Sequence, residues 1–253
     1  MDTLFLDAPY AGTVELCKDT LAYLKKKKYT SVGLYASVQF VHNLEHIKKQ
    51  LREVGIQIIT SLPDRTHVAG QLLGCDNYPD SLQLTPKQDK SVDCYLYIGD
   101  GKFHPLALVY GQKDTSPSEV REIICNNPLP KKMSLLSFED IKKILKKYKG
   151  ALMKFLTAER VGVIVTIKPG QEQLKPAYLL EKKFPEKKFY YFIDNVISFD
   201  QLENFPFIQV WVNTACPRAG FDDQEKFEKG VINLNDALRV EEILGKESIL
   251  TRG

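Results

Sequence analysis

Five cysteines are the side chains of this 253-residue chain that are best suited to metal or redox chemistry. Their number is odd, and no two of them are separated by two residues, as in rubredoxins, zinc ribbons and thioredoxins. The sequence begins without a recognisable signal peptide, so a disulfide framework is not expected. If these cysteines bind a metal, the ligands therefore come from distant parts of the sequence.

Two of the cysteines lie in loops rich in Gly, Pro or Asp. Cys75 stands between Gly74 and Asp76, and Cys216 is followed by Pro217. A thiolate needs an electropositive or metal-bound setting, which backbone N–H groups at a strand–loop–helix junction help to provide. Cys75 and Cys216 are therefore the candidate reactive thiols. The other three are expected to be structural, namely Cys17, Cys94 and Cys125.

Both loops belong to a set of four segments that follow predicted strands. Open parallel sheets bind ligands beyond the carboxyl ends of their strands. The segments are residues 37–42, 73–76, 99–105 and 213–218. The first contains His42, for which a structural role and a ligand-binding role are equally open.

Apolar strands that alternate with amphipathic helices must position these segments. Strands are predicted at residues 3–7, 31–36, 56–60, 92–98 and 119–125, and helices at 13–28, 38–54 and 104–110. After a proline-containing linker at 126–132, the pattern restarts. Further helices are predicted at 137–158, 174–183 and 234–244, and further strands at 160–167, 188–194 and 207–213. The expected fold class is α/β, with two three-layer α/β/α domains, 1–130 and 131–253, that have mainly parallel sheets.

The charge and hydropathy of the chain restrict its partners. With 35 basic and 32 acidic residues, the net charge is +3, which is too balanced to favour binding to nucleic acid or acidic membranes. The longest apolar runs are far shorter than the roughly 20 residues of a membrane-spanning helix. We therefore expect a cytoplasmic protein that binds neither membranes nor nucleic acid.

Several motifs, taken together and in this order, resemble the diphthamide synthase family. Residues 71–75 read QLLGC, residues 97–106 read YIGDGKFHPL, and residues 161–171 read VGVIVTIKPGQ. Residues 214–218 read TACPR, and the acid pair Asp222 and Asp223 follows. These motifs span most of the chain.

The resemblance implies an activity and a cofactor. Members of the family have three similar α/β domains, each of which contributes one cysteine to a 4Fe–4S cluster, so Cys75 would be the ligand of the middle domain and Cys216 that of the last. The reaction implied is radical transfer of the 3-amino-3-carboxypropyl group from S-adenosylmethionine to a histidine of translation elongation factor 2. From their position in loops after strands and from their chemistry, we expect the following residues to bind this co-substrate: Gln39, His42, Gly99, Gly101, His104, Lys168, Gly170, Gln171 and Arg218.

The chain departs from the family because the resemblance begins at the middle domain. The first domain and its cysteine have no counterpart, so we expect a subunit of a split or heteromeric synthase that works with a second chain. One alternative is a non-catalytic paralogue that supports a catalytic synthase chain. Another is a different α/β ligand-binding protein in which both cysteines are structural.

Overall fold

The computed structural model describes residues 8–101, 104–168, 172–196, 198–217 and 229–251. The chain divides into two compact units, Met1–Ile141 and Lys142–Gly253, and each unit has its own sheet. The strand predicted at residues 3–7 lies outside the described residues. Within the described part of the chain, no helix is long and apolar enough to cross a membrane.

The first unit contains a five-stranded sheet with the order β2-β1-β3-β4-β5. Strands β1 to β4 are parallel, and β5 runs antiparallel to β4. All residues of β1 and β3 are buried, which is expected of central strands covered on both faces. The strands are β1 (Ser31–Ala36), β2 (Gln57–Ile59), β3 (Cys94–Ile98), β4 (Ile123–Asn127) and β5 (Lys132–Leu136).

Four α-helices accompany this sheet. They are α1 (Lys18–Lys27), α2 (Leu44–Glu53), α3 (Pro86–Lys90) and α4 (Pro105–Gly111). Helix α2 buries Leu44, Ile47 and Leu51, as its apolar spacing predicts. Both α1 and α2 begin later than predicted, because residues 13–17 have no helical structure and a separate 3-10 turn, Val41–Asn43, precedes α2. Two other 3-10 turns are Pro79–Leu82 and Pro117–Glu119.

The segment interpreted as a linker, residues 126–132, has a different role. It completes β4, forms a turn and starts β5, which pairs with β4. The compact units therefore divide between Ile141 and Lys142 rather than after residue 130. The prolines at positions 128 and 130 are as compatible with a turn between antiparallel strands as with a linker.

The second unit contains a four-stranded, fully parallel sheet with the order β7-β6-β8-β9. Its strands are β6 (Arg160–Thr166), β7 (Lys188–Asp194), β8 (Val210–Asn213) and β9 (Val231–Asn233). Its helices are α6 (Leu174–Ala177), α7 (Leu179–Lys183), α8 (Phe199–Leu202), α9 (Leu234–Leu238) and α10 (Val240–Gly245). The helices predicted at 174–183 and 234–244 are thus each divided in two. The expected fold class, α/β with mainly parallel sheets, is confirmed.

Helix α5 (Phe138–Thr157) is the longest helix of the described residues. It begins with a capping box, in which the Asp140 N–H donates to the Ser137 hydroxyl at 3.2 Å and the Ser137 N–H donates to the Asp140 carboxylate at 2.9 Å. Tyr148, Leu152 and Phe155 are fully buried on its apolar face.

The central strands of the two sheets share a structural device. Each contains a Val-Gly pair, and each glycine lies opposite an aromatic residue of the next parallel strand: Gly33 opposite Tyr95, and Gly162 opposite Trp211. A Cβ atom at Gly33 would lie 2.7 Å from the Tyr95 ring, and one at Gly162 would overlap the Trp211 ring. The glycines therefore make room for buried rings, and the two units are built on a related plan.

Candidate functional site

The first unit brings the Cys75 segment to the carboxyl ends of its central strands. The Ala36 N–H donates to the carbonyl of Gly70 at 2.7 Å, and the Leu72 N–H donates to the carbonyl of Ala36 at 2.9 Å. Gln71 thereby forms a parallel bridge with the last residue of β1. The loop before Cys75 is therefore attached to the sheet edge at which parallel-sheet ligands bind.

A closed turn presents Cys75 beyond that bridge. The Leu73 N–H donates to Oδ2 of Asp76 at 3.0 Å, and the Asp76 N–H donates to the carbonyl of Leu73 at 3.0 Å. Asp76 is fully buried, and this burial raises the pKa of its carboxyl, an effect that the hydrogen bond from Leu73 opposes. Cys75 is half-buried, so its turn is fixed while its side chain keeps contact with solvent.

The loop after β3 depends on a glycine. A Cβ atom at Gly99 would lie 2.5 Å from the hydroxyl oxygen of Tyr97, whose ring is buried in β3. His104 stacks on that ring, with centroids 6.2 Å apart and planes 20° apart. Gly101 has φ +66°, a conformation that glycine adopts without strain. The Tyr97 ring therefore favours glycine at position 99, and the backbone conformation favours glycine at position 101.

The remaining candidates of the first unit lie at the same end of the sheet. Gln39 and His42 are exposed and follow β1, where the carbonyl of Gln39 accepts a hydrogen bond from the Tyr10 N–H at 2.8 Å. The structure thus places the six candidates of this unit in loops that follow the neighbouring strands β1 and β3 or, for Cys75, in the loop that is bridged to the end of β1. They are Gln39, His42, Cys75, Gly99, Gly101 and His104.

In the second unit, Cys216 and Lys168 also follow neighbouring parallel strands. Cys216 is half-buried and lies three residues after the end of β8, and Lys168 is exposed and lies two residues after the end of β6. The loop of Cys216 is attached to β6 by Thr214, whose N–H and hydroxyl both donate to the carbonyl of Ile164, at 3.0 and 2.9 Å. The candidates Gly170, Gln171 and Arg218 lie outside the described residues.

The other three cysteines have structural positions. Cys94 is fully buried in β3, and burial raises the pKa of its thiol. Burial also raises the pKa of Cys17, and Cys125 is buried in β4. All five cysteines lie in the described part of the chain, and none of them forms a disulfide. The distinction made from the sequence between two loop thiols and three core thiols agrees with this burial.

Comparison with known proteins identifies the family of this chain. The sequence model of a family described as "Putative diphthamide synthesis protein" matches residues 3–243. The chain belongs to the diphthamide synthesis family.

Relatives within the family show how much of their length the chain spans. It is 28% identical over 258 residues to a 2-(3-amino-3-carboxypropyl)histidine synthase of Pyrococcus horikoshii, covering 96% of this chain and 69% of the relative. It is 24% identical over 213 residues to subunit 1 of the Neurospora crassa synthase, covering 82% of this chain and 44% of the relative. The crystal structure of Dph2 from Pyrococcus horikoshii with a 4Fe–4S cluster superimposes with a TM-score of 0.68 at 27% identity, over 90% of this chain and 60% of that chain.

The thiols fit an iron–sulfur cluster in chemistry, although not in number. Clusters of this kind are held by thiolates, and Cys75 and Cys216 are the two partly exposed thiols, each in a loop beyond a parallel strand. Among the described residues, no group of three or more His, Cys, Asp or Glu side chains is arranged to hold a metal ion. The two cysteines belong to different units, so each unit contains one candidate ligand.

Sequence reasoning overlooked the polar residues that hold the cysteine loops. Asp76 closes the turn of Cys75, and Asn213 binds the loop of Cys216 through its side chain. Both residues are next to a quoted motif or within one, but their pairing with backbone groups is not visible in the sequence. The only available signal was the presence of an Asp and an Asn, which often hydrogen-bond to nearby backbone groups in turns.

Proposed function

We propose that this chain is a subunit of a diphthamide synthase in which Cys75 and Cys216 are ligands of a 4Fe–4S cluster. The observation that carries the proposal is the contrast among the cysteines. Only the thiols of the two family motifs are partly exposed, and each follows the carboxyl edge of a mainly parallel sheet. The membership of the chain in the family and the cluster bound in the Dph2 crystal structure support it.

The reaction proposed is transfer of the 3-amino-3-carboxypropyl group from S-adenosylmethionine to a histidine of translation elongation factor 2. When bound, the cluster supplies the electron for cleavage of the carbon–sulfur bond. The chain's own loops bind and orient the co-substrate. The backbone near Gly101 is suited to a carboxylate, since glycine allows close approach, and Lys168 supplies a cation.

We further propose that a second polypeptide completes the site in the cytoplasm. Cys75 and Cys216 are two thiolates, fewer than the three that hold a cluster with one open iron, and the proposal assigns the remaining ligand to this partner. Curated relatives that are named subunit 1, such as the Neurospora crassa protein, are consistent with a synthase of more than one chain.

A supporting, non-catalytic role is the second candidate. It is favoured by the small number of partly exposed thiols, one in each unit, which is fewer than a cluster with one open iron uses. In that case the chain would bind a complete synthase and would bring no thiolate of its own to the reacting cluster.

Anaerobic co-expression with candidate partners tests both roles. The assay follows the labelled aminocarboxypropyl group from S-adenosylmethionine into elongation factor 2. The proposal predicts transfer only with a partner, and loss of transfer in Cys75→Ser and Cys216→Ser but not in the matched core variant Cys94→Ser. Full transfer by the chain alone as a monomer would refute the need for a partner, and full transfer by both loop variants would favour the supporting role.

A further inference from the structure

The side-chain amide of Asn213 makes three hydrogen bonds at the end of β8. Its Nδ2 donates to the carbonyl of Cys216 at 2.8 Å and to Oδ1 of Asn233 at 3.0 Å. Its Oδ1 accepts from the Ala215 N–H at 3.1 Å. Asn213 is only 2% exposed, so these bonds form away from solvent, where an unmet donor or acceptor is costly. Both hydrogens and the oxygen of the amide are thereby used.

Two of these three bonds end on the loop that carries Cys216. The bond to Ala215 and the bond to the Cys216 carbonyl hold the backbone on both sides of the peptide group that joins those residues. The direction in which the Cys216 side chain leaves the backbone is therefore set by Asn213. Thr214, which lies between Asn213 and Ala215, is fixed separately to β6 by its hydrogen bond to the carbonyl of Ile164.

The third bond connects the loop to the interior of the unit. Asn233 is 3% exposed at the end of β9, and its N–H donates to the hydroxyl of Tyr148 at 3.3 Å. The Tyr148 hydroxyl in turn donates to Oδ2 of Asp236, and both of these residues are fully buried. The chain of contacts runs from the cysteine loop to helix α5, which gives Asn213 a rigid support.

We propose that Asn213 is a positioning residue for the Cys216 thiol, acting through the backbone of the Cys216 loop. The use of that position for cluster ligation rests on the function proposed above. The positioning itself does not, because it is a property of the chain without any cofactor. An amide is required, since the site presents one donor and two acceptors.

Asn213→Asp is the sharpest perturbation because it preserves shape. The carboxylate can still accept from the Ala215 N–H, but it has no hydrogens for the carbonyl of Cys216 or for Oδ1 of Asn233. It instead opposes the carbonyl oxygen of Cys216. Asn213→Ser is an uncharged second variant whose side chain is too short to bridge the loop and Asn233. Asn204→Asp is the matched control, with the same chemical change at an exposed residue of the same unit.

The readout is the alkylation rate of each cysteine in the cofactor-free, reduced full-length chain, resolved by mass spectrometry. Cys75 serves as an internal reference in the other unit. Loss of the bonds that Nδ2 donates should release the loop and raise the Cys216 rate about tenfold relative to Cys75, a change that corresponds to about 1.4 kcal/mol. Fluorescence of Trp211, the only tryptophan and fully buried in β8, reports whether the unit remains folded.

A rise confined to Cys216 in the folded Asn213 variants supports the inference. A rise of the Cys216 rate that stays below about tenfold in both Asn213 variants, or a rise that Asn204→Asp shares, would overturn it. Loss of native Trp211 emission in both variants would also overturn it, since Asn213 would then be needed for folding of the whole unit. Iron content after anaerobic reconstitution with the partner is measured separately, so a failure of cluster binding is distinguishable from a failure of positioning.

Discussion

Replacing Gly162 by alanine should destabilise the second unit through a single methyl group. Gly162 lies in β6 opposite Trp211 of β8, and an added Cβ would overlap the six-membered part of the indole ring. The ring is fully buried, and Phe192 packs edge-on against it with centroids 4.8 Å apart. A rigid ring in such a site cannot move aside without displacing its neighbours. Overpacking of this kind costs about 1–3 kcal/mol.

The expected loss is large enough for a thermal melt. For domains of 60–100 residues, 1 kcal/mol shifts Tm by about 4–8 °C, so a decrease of about 5–20 °C is expected for Gly162→Ala. Trp211 is the only tryptophan, so its fluorescence reports this unit selectively. Gly150→Ala is the matched control: it lies in α5, is exposed, and has no atom within 4 Å of an added Cβ. That variant should be more stable by about 0.5–1 kcal/mol.

An unchanged Tm in Gly162→Ala would refute this reasoning, because it would mean that the Trp211 ring does not lie against β6. A loss of stability that Gly150→Ala shares would also refute it. The same variant also tests whether the packing of Trp211 supports the cysteine loop, since β8 carries Trp211, ends at Asn213 and leads to Cys216.

Two other predictions concern the first unit. Burial raises the pKa of Glu122, but hydrogen bonds from Tyr29, Tyr23 and Lys27 outweigh it and lower the pKa below its ordinary value of 4.5. The stabilisation of the fold by the ionised Glu122 carboxylate is therefore complete above pH 4.5, and it is lost as the pH falls through the lowered pKa. Glu122→Gln should cost about 1–3 kcal/mol at pH 7 by urea denaturation, and the difference from wild type should vanish in acid; a constant difference would contradict this. Cys94→Ala should cost about 1 kcal/mol in the same assay, with iron content unchanged, because Cys94 is a core side chain.

The strongly patterned elements could be predicted from the sequence, and the reason is physical. The strands at 31–36 and 188–194 have the predicted bounds, because an apolar or aromatic run between polar turns leaves few alternatives. Strand β5 is only half-buried and follows two prolines, and β9 has three residues, so neither gives a readable period. Helices were predicted too long where a turn interrupts an apolar face.

Of the candidate site, only the partly exposed cysteines could be predicted from the sequence. Cys75 and Cys216 are distinguished from the core thiols by the loop residues beside them, which are local in sequence. The bonds that hold their loops are not local: Asn213 pairs with Asn233, and Asn233 with Tyr148, across 20 and 85 residues. The first pair forms where the parallel strands β8 and β9 align, and the second joins β9 to helix α5, so neither is visible in the local pattern of the sequence.

The measurement that tests the central claim most directly is the iron and sulfide content of anaerobically purified complexes that contain the chain and its partner. Three variants are compared with wild type: Cys75→Ser, Cys216→Ser and the core control Cys94→Ser. If Cys75 and Cys216 are cluster ligands, iron and sulfide fall to background in the first two and stay at the wild-type level in the third. Wild-type iron and sulfide in either loop variant would contradict the assignment.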